Sequence, residues 1–313
     1  MRRVRFHTYG GPEVLRMEET EEPVPGPGDL LVRTEAIGVT LPSVRQVRGD
    51  GKGGGVPLPG VVGGEIAGAV IAVGPDVSGF AVGDRVTSLT LTGSYGELAV
   101  APAFLASRIP QGASAVQAVA LVRSGHVALA ALSTAAPAAG ESVLITGAAS
   151  ATGHLAVQLA KLQGVGRVVA AVSSPAKAEF LYGLGADEVV TYDQDSWGEP
   201  ADIVLDGVGG DLLPRALAAL APGGRLVFFN SGGGTVPAYE LLAGAKTITG
   251  LTMRRFSTVH RELYEQHREQ LWELAGSGRL RAAVHAELPL ADAAKAHEII
   301  EARANLGKVV LRP

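Results

Sequence analysis

The sequence predicts an α/β fold in which a doubly wound parallel sheet accompanies a second, β-rich domain. Between residues 141 and 177, an apolar strand, a loop of small residues, a helix and a second strand follow one another. From about residue 113 onward, strand and helix patterns alternate, which is typical of a parallel sheet. The first hundred residues show short strands between Gly and Pro turns, which are typical of an antiparallel, barrel-like domain.

The composition favours a soluble globular protein of two domains, or of one large domain. The chain has 313 residues, of which 47% are hydrophobic and 19% charged, so that a sizeable core can be buried. The formal net charge is −4, and no basic cluster with interleaved aromatic residues is present, which argues against a nucleic-acid partner. Cysteine is absent, which excludes disulfides, thiolate metal ligands and a cysteine nucleophile.

The sequence favours a cytoplasmic location without a membrane partner. The N-terminal segment lacks the apolar region of a signal peptide. The most membrane-like stretch, residues 113–140, is interrupted by Arg123, His126 and Pro137, so it falls short of the roughly 18 apolar residues that a spanning helix needs.

Individual elements follow from the same patterns. In the first part, alternating apolar residues predict strands at 30–39, 65–74, 84–89 and 97–102. In the second part, six strands suffice for two mononucleotide-binding halves, and they are predicted at 142–146, 167–172, 188–191, 202–206, 224–229 and 247–251. Helices at 259–275 and 291–304 precede a terminal strand in LGKVVLRP. The segment GDGKGGG at 49–55 predicts a mobile loop, since it is mostly glycine.

The loop after the strand at 142–146 predicts a binding site for the pyrophosphate of a dinucleotide. Gly147 permits a tight turn after the strand, and Gly153 permits close packing of helix on strand. Between them lie Ser150, Ala151 and Thr152, where the helix begins and backbone N–H groups hold the phosphates. The alternative is a serine nucleophile in a strained elbow. That turn needs glycine where Thr152 stands, so we disfavour the alternative.

The end of the second strand predicts NADPH rather than NADH. Ser173 and Ser174 stand where NAD-specific proteins usually place the acidic residue that binds the ribose 2′-hydroxyl. Two hydroxyls followed by Lys177 suit a 2′-phosphate, since Lys is a good point-charge partner for phosphate. The alternative is that the serines and Pro175 cap a helix and Lys177 is an ordinary solvated side chain.

The histidines give little support for a metal site. Seven are scattered along the chain, without an H-E-x-x-H motif or a cysteine to join them. His260 and His267 lie seven apart on a predicted helix and can share a face. We expect a solvated or hydrogen-bonded pair there rather than zinc.

Seven motifs are spread along the chain: RFHTYGGPEVL, GGEIAGAVIAVGPDVSGFAVGDRV, GSYGELAV, GLGADEVVTYD, VLDGVGGD, APGGRLVFFNSGGG and AHEIIEARANLGKVVL. Together, and in this order, they resemble the zinc-independent quinone oxidoreductase branch of the medium-chain dehydrogenase/reductase superfamily. The resemblance implies a GroES-like catalytic domain at 1–120 and 260–313 and a Rossmann domain at 121–259. It also implies NADPH as cofactor and a homodimer. It implies no metal, because Thr40 and Gly64 stand where zinc-dependent relatives carry Cys and His.

The resemblance implies further cofactor contacts outside the glycine loop. Tyr192 matches a position that approaches the 2′-phosphate beside Lys177. The other matching positions lie in three later motifs, and they are Val208, Asn230, Ser231, Asn305 and Lys308.

The catalytic part departs from the family motif G-x-N-F-x-D-x-Y. The segment GVTLPSVR carries Thr40, Ser43 and Arg45 in place of Asn, Asp and Tyr, and His126 replaces a frequent Thr. These positions fall where nicotinamide and substrate meet, so Arg45 and His126 are candidates to anchor or protonate a carbonyl or a carboxylate-bearing substrate. The alternative is that Arg45 reaches solvent and His126 is a satisfied interior residue. Tyr95 has two possible roles: it lines the same cleft, or it only packs against its neighbours.

Three functions are therefore weighed. The resemblance favours NADPH-dependent hydride transfer to a quinone or an α,β-unsaturated carbonyl without a metal. The altered segment leaves open an enoyl reductase that acts on a polyketide or acyl-thioester intermediate. Loss of the family's Asn, Asp and Tyr leaves open a non-catalytic NADPH-binding protein.

Overall fold

The computed structural model describes residues 1–50, 55–230 and 232–313. The chain divides into two compact units, which we call the catalytic unit (1–123 and 284–313) and the nucleotide unit (124–283). Most of the segment for which a mobile loop was predicted, 51–54, lies outside the described residues, as does Ser231.

Strands dominate the chain up to residue 108. They are β1 (Arg2–Phe6), β2 (Arg16–Glu19), β3 (Asp29–Val39), β4 (Gly60–Val61), β5 (Gly64–Val73), β6 (Arg85–Thr90), β7 (Leu98–Pro102) and β8 (Ser107–Arg108), with helix α1 (Leu41–Arg48) after β3. The catalytic unit is completed near the C-terminus by β15 (Val284–Pro289), α9 (Ala293–Glu301) and β16 (Lys308–Arg312).

Two sheets build the catalytic unit. One runs in the order β15-β16-β3-β5-β6-β8, with β7 also paired to β3, and the other in the order β2-β1-β4. The central pair, β3 and β5, is antiparallel, as the alternating pattern predicts. Its apolar side chains meet in a core that includes Phe6, Leu30, Ile37 and Ile66.

In the nucleotide unit strands and helices alternate. The elements from the domain boundary onward are α2 (Ala115–Ala135), β9 (Ser142–Thr146), α3 (Gly153–Leu162), β10 (Arg167–Val172), α4 (Ala178–Tyr182), β11 (Glu188–Thr191), β12 (Ala201–Asp206), α5 (Leu213–Ala218), β13 (Leu220–Phe228), α6 (Ala238–Ala243), β14 (Thr247–Gly250), α7 (Met253–Val259) and α8 (Arg261–Gly276).

The six strands of this unit form one sheet in the order β11-β10-β9-β12-β13-β14, and every neighbouring pair is parallel. The predicted strands are all present, and β13 begins earlier than expected. Strand order reverses between β9 and β12, and ligands of such sheets bind beyond the carboxyl ends of the strands at this point. The β9 side chains Val143, Leu144 and Ile145 are fully buried, which fits a central strand covered on both faces.

Two differences from the sequence-based boundaries lie near the end of the nucleotide unit. The predicted helix at 259–275 is present as α8, but an additional helix, α7, precedes it and meets it at His260. The chain also returns to the catalytic unit at residue 284 rather than at 260. The reason is packing of α8 against α2: the side chain of Leu271 lies over Gly125, where a Cβ would be only 2.4 Å from it.

Helix α2 is long and apolar enough, by length and composition, to cross a membrane. Of its most apolar window, 83% is buried inside the protein. A buried core helix passes the same test, so this feature alone assigns no membrane role.

Candidate functional site

The glycine loop has the geometry of a phosphate-binding turn. Gly147 follows β9 with a φ of +63°, a left-handed conformation that favours glycine. A Cβ on Gly153 would lie 2.2 Å from the carbonyl oxygen of Gly147, so only glycine allows the first turn of α3 to pack this closely. Val208 closes the other side of the loop, with its Cγ2 3.2 Å from the position of a Cβ on Gly147. The loop therefore brings backbone close to where a pyrophosphate binds.

Ser150 caps helix α3. Its Oγ accepts a hydrogen bond from the Gly153 N–H at 3.0 Å, and its carbonyl oxygen accepts from the His154 N–H at 3.1 Å. Ser150 is exposed, and Ala151 and Thr152 in the same turn are half-buried. The serine thus acts as a loop and capping residue, and the N-terminus of α3 remains accessible to an anion.

Tyr192 lies at the glycine loop. Its hydroxyl accepts a hydrogen bond from the Gly147 N–H at 2.7 Å. The tyrosine ring lies 6.0 Å from that of Trp197, and its carbonyl oxygen accepts a hydrogen bond from Arg215. These contacts fix the residue that follows β11 beside the loop that follows β9.

The turn after β10 has features of both roles predicted for its serines, helix capping and binding of a 2′-phosphate. Ser174 caps a short 3₁₀ turn, since its hydroxyl accepts from the Ala176 N–H at 3.3 Å. Ser173 is exposed, and Lys177, at the end of the same turn, is half-buried. Ser174 therefore has the capping role. Ser173 and Lys177 are the residues of this turn that suit a 2′-phosphate.

A buried carboxylate, which sequence reasoning missed, organises the carboxyl edge of the sheet. Asp206 ends β12, is fully buried, and its Oδ1 accepts from the Thr146 hydroxyl at 2.6 Å. The same oxygen accepts from the N–H groups of Val208 and Gly209 at 3.1 and 3.2 Å. A polar residue at the end of a parallel strand, followed by glycines, is the signal that could have identified it.

Asn230 belongs to the same cluster. Its Nδ2 donates to Asp206 Oδ2 at 3.2 Å, and its Oδ1 accepts from the Gly232 N–H at 2.7 Å. A Cβ on Gly209 would lie 2.3 Å from that Oδ1. Asn230 therefore joins two glycine-containing loops, 207–210 and 230–233, whereas the neighbouring Ser231 lies outside the described residues.

His126 is an interior residue of the nucleotide unit. It is 2% exposed, and its ring stacks on Tyr264 with centroids 4.2 Å apart and an interplanar angle of 12°. Its Nε2 lies 3.3 Å from the carbonyl oxygen of Tyr264. These contacts favour the interior alternative for His126, and its catalytic role stays a prediction.

Thr40 and Tyr95 each have a polar side-chain partner in the catalytic unit. Thr40 caps α1: its Oγ1 accepts from the Ser43 N–H at 3.3 Å and lies 2.8 Å from Ser43 Oγ. Tyr95 is fully buried, and its hydroxyl lies 3.0 Å from Nε2 of His297. Burial raises the pKa of the Tyr95 hydroxyl and lowers the pKa of His297 to about 4, so both are neutral at pH 7. His297 was not predicted; the signal was a lone histidine on the apolar face of α9.

Arg45 lies in the last turn of α1 and is half-buried. Its position leaves the anchoring role and the solvent-reaching alternative both open. The structure does not bring Arg45 and His126 into one unit, since His126 lies beyond residue 123.

Lys308 forms a buried ion pair with Glu65. It is 1% exposed, and its Nζ donates to Glu65, which is 3% exposed and also lies 3.5 Å from Arg123 Nε. Burial lowers the pKa of Lys308, and Glu65 opposes that shift. Asn305, the other terminal candidate, is half-buried and donates from Nδ2 to the carbonyl oxygen of Gly307 at 2.8 Å. The ion pair gives Lys308 a structural role, and its cofactor-lining role stays a prediction.

Within residues 1–50, 55–230 and 232–313, no group of three or more His, Asp or Glu side chains is placed to hold a metal ion. At the position of the zinc relatives' histidine, a Cβ on Gly64 would lie 3.2 Å from Ser94 Oγ and 3.3 Å from Ser43 Oγ. His260 and His267 both face the ring of Phe256, at centroid distances of 5.3 and 5.6 Å.

A glycine loop at the switch point of a six-stranded parallel sheet, with a separate strand-rich unit, defines a dinucleotide-dependent oxidoreductase of the medium-chain type. Comparisons with known proteins agree. Residues 26–120 match the alcohol dehydrogenase GroES-like domain, and residues 184–311 match the zinc-binding dehydrogenase family.

Similar proteins cover the whole chain. A quinone oxidoreductase of Pseudomonas aeruginosa is 33% identical, over 100% of this chain and 99% of its own. A 2-haloacrylate reductase of a Burkholderia species is 29% identical, over 98% of each chain. The crystal structure of Escherichia coli quinone oxidoreductase complexed with NADPH has a TM-score of 0.92 and 30% identity and covers 100% of both chains. The chain belongs to the quinone oxidoreductase family, in the zinc-independent branch of the medium-chain dehydrogenase/reductase superfamily.

Proposed function

We propose that the protein uses NADPH to reduce a quinone or an α,β-unsaturated carbonyl compound without a metal. The observation that carries this proposal is the glycine loop at the sheet's switch point, followed after β10 by serines and a lysine instead of an acidic residue. The protein is an NADPH-dependent oxidoreductase, as are relatives that match it over their full length. The 2-haloacrylate reductase adds support for conjugated acceptors beyond quinones.

The residues present fit NADPH. The glycines at both ends of the loop from Gly147 to Gly153 allow a close turn at the start of α3, and a helix N-terminus after such a turn suits the pyrophosphate. Ser173 and Lys177 suit the 2′-phosphate, and Tyr192 holds the adjoining turn against the loop. Bound NADPH supplies the hydride. The chain's own tasks are to orient the cofactor, exclude water and stabilise charge that develops on the acceptor oxygen.

Enzyme assays test this function. Purified protein is mixed with NADPH or NADH and a panel of quinones and enones, and loss of the reduced nicotinamide absorbance is followed. We expect oxidation of NADPH with at least one acceptor and a clear preference over NADH. A preference for NADH, or no oxidation across the panel, would overturn the proposal.

A pair of lysine variants tests the 2′-phosphate site. Lys177→Ala is expected to raise the KM for NADPH about tenfold or more and to leave that for NADH nearly unchanged, because only NADPH carries the extra charge. Lys161→Ala is the matched control, since Lys161 pairs with Asp187 at 2.7 Å and lies in the last turn of α3, at the opposite end from the glycine loop. Equal effects of Lys177→Ala on both cofactors would contradict the assignment.

The enoyl reductase function is the second candidate. Thr40, Ser43 and Arg45 differ from the family motif in the segment that follows β3, and Arg45 suits a carboxylate-bearing or thioester substrate better than a quinone. Relative turnover of quinones and crotonyl-type thioesters decides between the two. A thioester preferred by tenfold or more would make the enoyl reductase the better description.

A cytoplasmic homodimer is the proposed state of the protein. Strand β14 ends the parallel sheet with exposed residues and no further partner strand among the described residues. Just before it in the chain, Tyr239 and Leu242 of α6 are 76% and 75% exposed. An open sheet edge beside exposed apolar side chains favours association with a second copy. Sedimentation equilibrium should give twice the chain mass, and a monomer at micromolar concentration would refute the dimer.

A further inference from the structure

Tyr192 is held by contacts with three different elements of the nucleotide unit. Its backbone N–H donates to the carbonyl oxygen of Val172, the last residue of β10, at 2.9 Å. Its hydroxyl accepts from the N–H of Gly147, directly after β9, at 2.7 Å. Its carbonyl oxygen accepts from the guanidinium of Arg215 in α5. Tyr192 thus reaches from the carboxyl end of β10 to that of its neighbour β9, and its third contact comes from the helix after β12.

The guanidinium of Arg215 is itself oriented by an aromatic ring. Its Cζ lies 5.1 Å from the centroid of the Trp197 ring, a distance at which a cation is attracted to an indole. Trp197 is 5% exposed, and its Nε1 is buried without a hydrogen-bond partner among the residues that the structure describes. The indole therefore contributes packing and attraction for the cation rather than a hydrogen bond. The Tyr192 ring lies 6.0 Å from the same indole, so Trp197 packs beside both Arg215 and Tyr192.

The far end of Tyr192 fixes the first residue of the glycine loop. Gly147 has a φ of +63°, and glycine loses more conformational freedom on folding than any other residue. A contact that selects one conformation of such a residue therefore has an effect on the whole loop. The Tyr192 hydroxyl makes this contact, since it bonds the N–H of Gly147 itself. A shift of the tyrosine would lengthen that bond or move the start of the loop with it.

We propose that Arg215 is a positioning residue for the cofactor. It holds Tyr192, and through the Tyr192 hydroxyl it holds the start of the glycine loop in the conformation that receives the pyrophosphate. The inference rests on the proposed NADPH-dependent function and adds a residue that no sequence motif indicated. Arg215 acts through Tyr192 and needs no contact with the cofactor for this role.

This role predicts a loss of affinity that both nicotinamide cofactors share. NADPH and NADH carry the same pyrophosphate, and the glycine loop is the part of the protein that binds it. Loss of Arg215 should therefore weaken the binding of both cofactors by a similar factor. Loss of Lys177, which we assign to the 2′-phosphate, should weaken NADPH alone. The ratio of the two affinities thus distinguishes the two cationic residues.

Cofactor titrations of matched arginine variants test the proposal. Arg215→Met keeps an unbranched side chain beside Trp197 but removes the donor. It should raise the Kd for NADPH and for NADH about tenfold each, the lower range for a hydrogen bond from a charged group. Arg167→Met is the control, because Arg167 also donates to backbone carbonyls, those of Glu199 and Pro200, but lies at the start of β10. It should leave both Kd values within about twofold.

A double variant decides whether Arg215 acts through Tyr192. Tyr192→Phe removes a single oxygen atom, and it should raise both Kd values as Arg215→Met does. The double variant should bind no more weakly than the weaker single variant, because substitutions that remove the same contact do not add. Nicotinamide fluorescence measures the Kd values, and urea unfolding shows that each variant is folded. A residue that only stabilises the fold would not give this pattern.

Three results would each overturn the positioning role. They are wild-type affinity in Arg215→Met, an effect of Arg215→Met on NADPH alone, and effects that multiply in the double variant. Where Arg215→Met does not fold, wild-type affinity for both cofactors in folded Tyr192→Phe overturns the role. Wild-type protein that binds neither cofactor would instead overturn the proposed NADPH-dependent function itself.

Discussion

Thr146 and Asp206 end neighbouring parallel strands, and the Thr146 hydroxyl donates to Asp206 Oδ1 over 2.6 Å. The same two strands begin with an equivalent pair, in which the Ser142 hydroxyl donates to Asp202 Oδ2 over 2.7 Å. The chemistry of the two pairs is alike, but only Asp206 lies at the carboxyl edge, where the ligand-binding loops begin. We therefore expect the first pair to support cofactor binding and the second to support the sheet alone.

The two aspartates provide a matched test of this difference. Asp206→Asn and Asp202→Asn are each expected to lower the free energy of unfolding by about 1–3 kcal/mol, since each leaves hydrogen-bond donors poorly matched. Only Asp206→Asn should also raise the Kd for NADPH, by about tenfold or more, because the loops at 207–210 and 230–233 lose their common anchor. Urea unfolding and NADPH fluorescence titration measure the two effects. Equal NADPH affinities in the two variants would refute the distinction.

The glycine at the start of α3 is expected to be irreplaceable. Gly153→Ala places a Cβ 2.2 Å from a backbone oxygen and 2.7 Å from the Cα of Ala148, atoms that cannot move without opening the loop. We expect at least a tenfold rise in the Kd for NADPH and about 1–3 kcal/mol lower stability. Gly276→Ala, in open space at the end of α8, is the control and should raise stability by about 0.5–1 kcal/mol. NADPH binding by Gly153→Ala at wild-type affinity would show that the close approach is not needed.

The buried ion pair of Lys308 and Glu65 gives a prediction that distinguishes a structural role of Lys308 from contact with the cofactor. Lys308→Met leaves Glu65 with only the more distant Arg123 and should lower the free energy of unfolding by about 3–5 kcal/mol. The double variant Lys308→Met with Glu65→Gln should recover much of that loss, because no unpaired charge remains. NADPH affinity of the folded fraction should not change. A large rise in the NADPH Kd at undiminished stability would instead support the cofactor-lining role that the resemblance implies.

His267 gives the nucleotide unit a pH-dependent stability. Burial lowers the pKa of this histidine from 6.5 to about 4, and its Nδ1 is buried without a hydrogen-bond partner among the described residues. Since the folded pKa lies below the unfolded one, the neutral ring's contribution is complete above pH 6.5 and is lost as the pH falls toward 4. Between pH 7 and 5 the loss is about 2 kcal/mol.

Substitution of His267 isolates that contribution from other titrating groups, including His297. Between pH 7 and pH 5, the free energy of unfolding of His267→Leu should fall by about 2 kcal/mol less than that of the wild type. The reason is that the leucine side chain binds no proton in the unfolded chain. Urea titrations of both proteins at several pH values measure the difference. Parallel curves for wild type and variant would show that the histidine titrates normally in the folded state.

Local features were predictable because they depend on residues that are close in the sequence. The strand at 142–146, the turn at Gly147 and the helix from Gly153 follow from hydrophobic periodicity and from the conformational freedom of glycine. The parallel order of the six strands follows from the alternation of strands with helices. The roles of Arg45 and His126 were less accessible to this reasoning, since the sequence left a catalytic role and a solvent-reaching or interior position both open for them.

By itself, the sequence determined the two kinds of domain, the dinucleotide loop and the absence of thiolate ligands, because periodicity, turn chemistry and composition are local properties. Only the tertiary structure decided which polar side chains are partners. Tyr95 meets His297 across 202 residues, and Lys308 meets Glu65 across 243. Such pairs form when sheets and helices bury polar groups that must then be satisfied, and a pattern along the chain does not say which distant group will satisfy them.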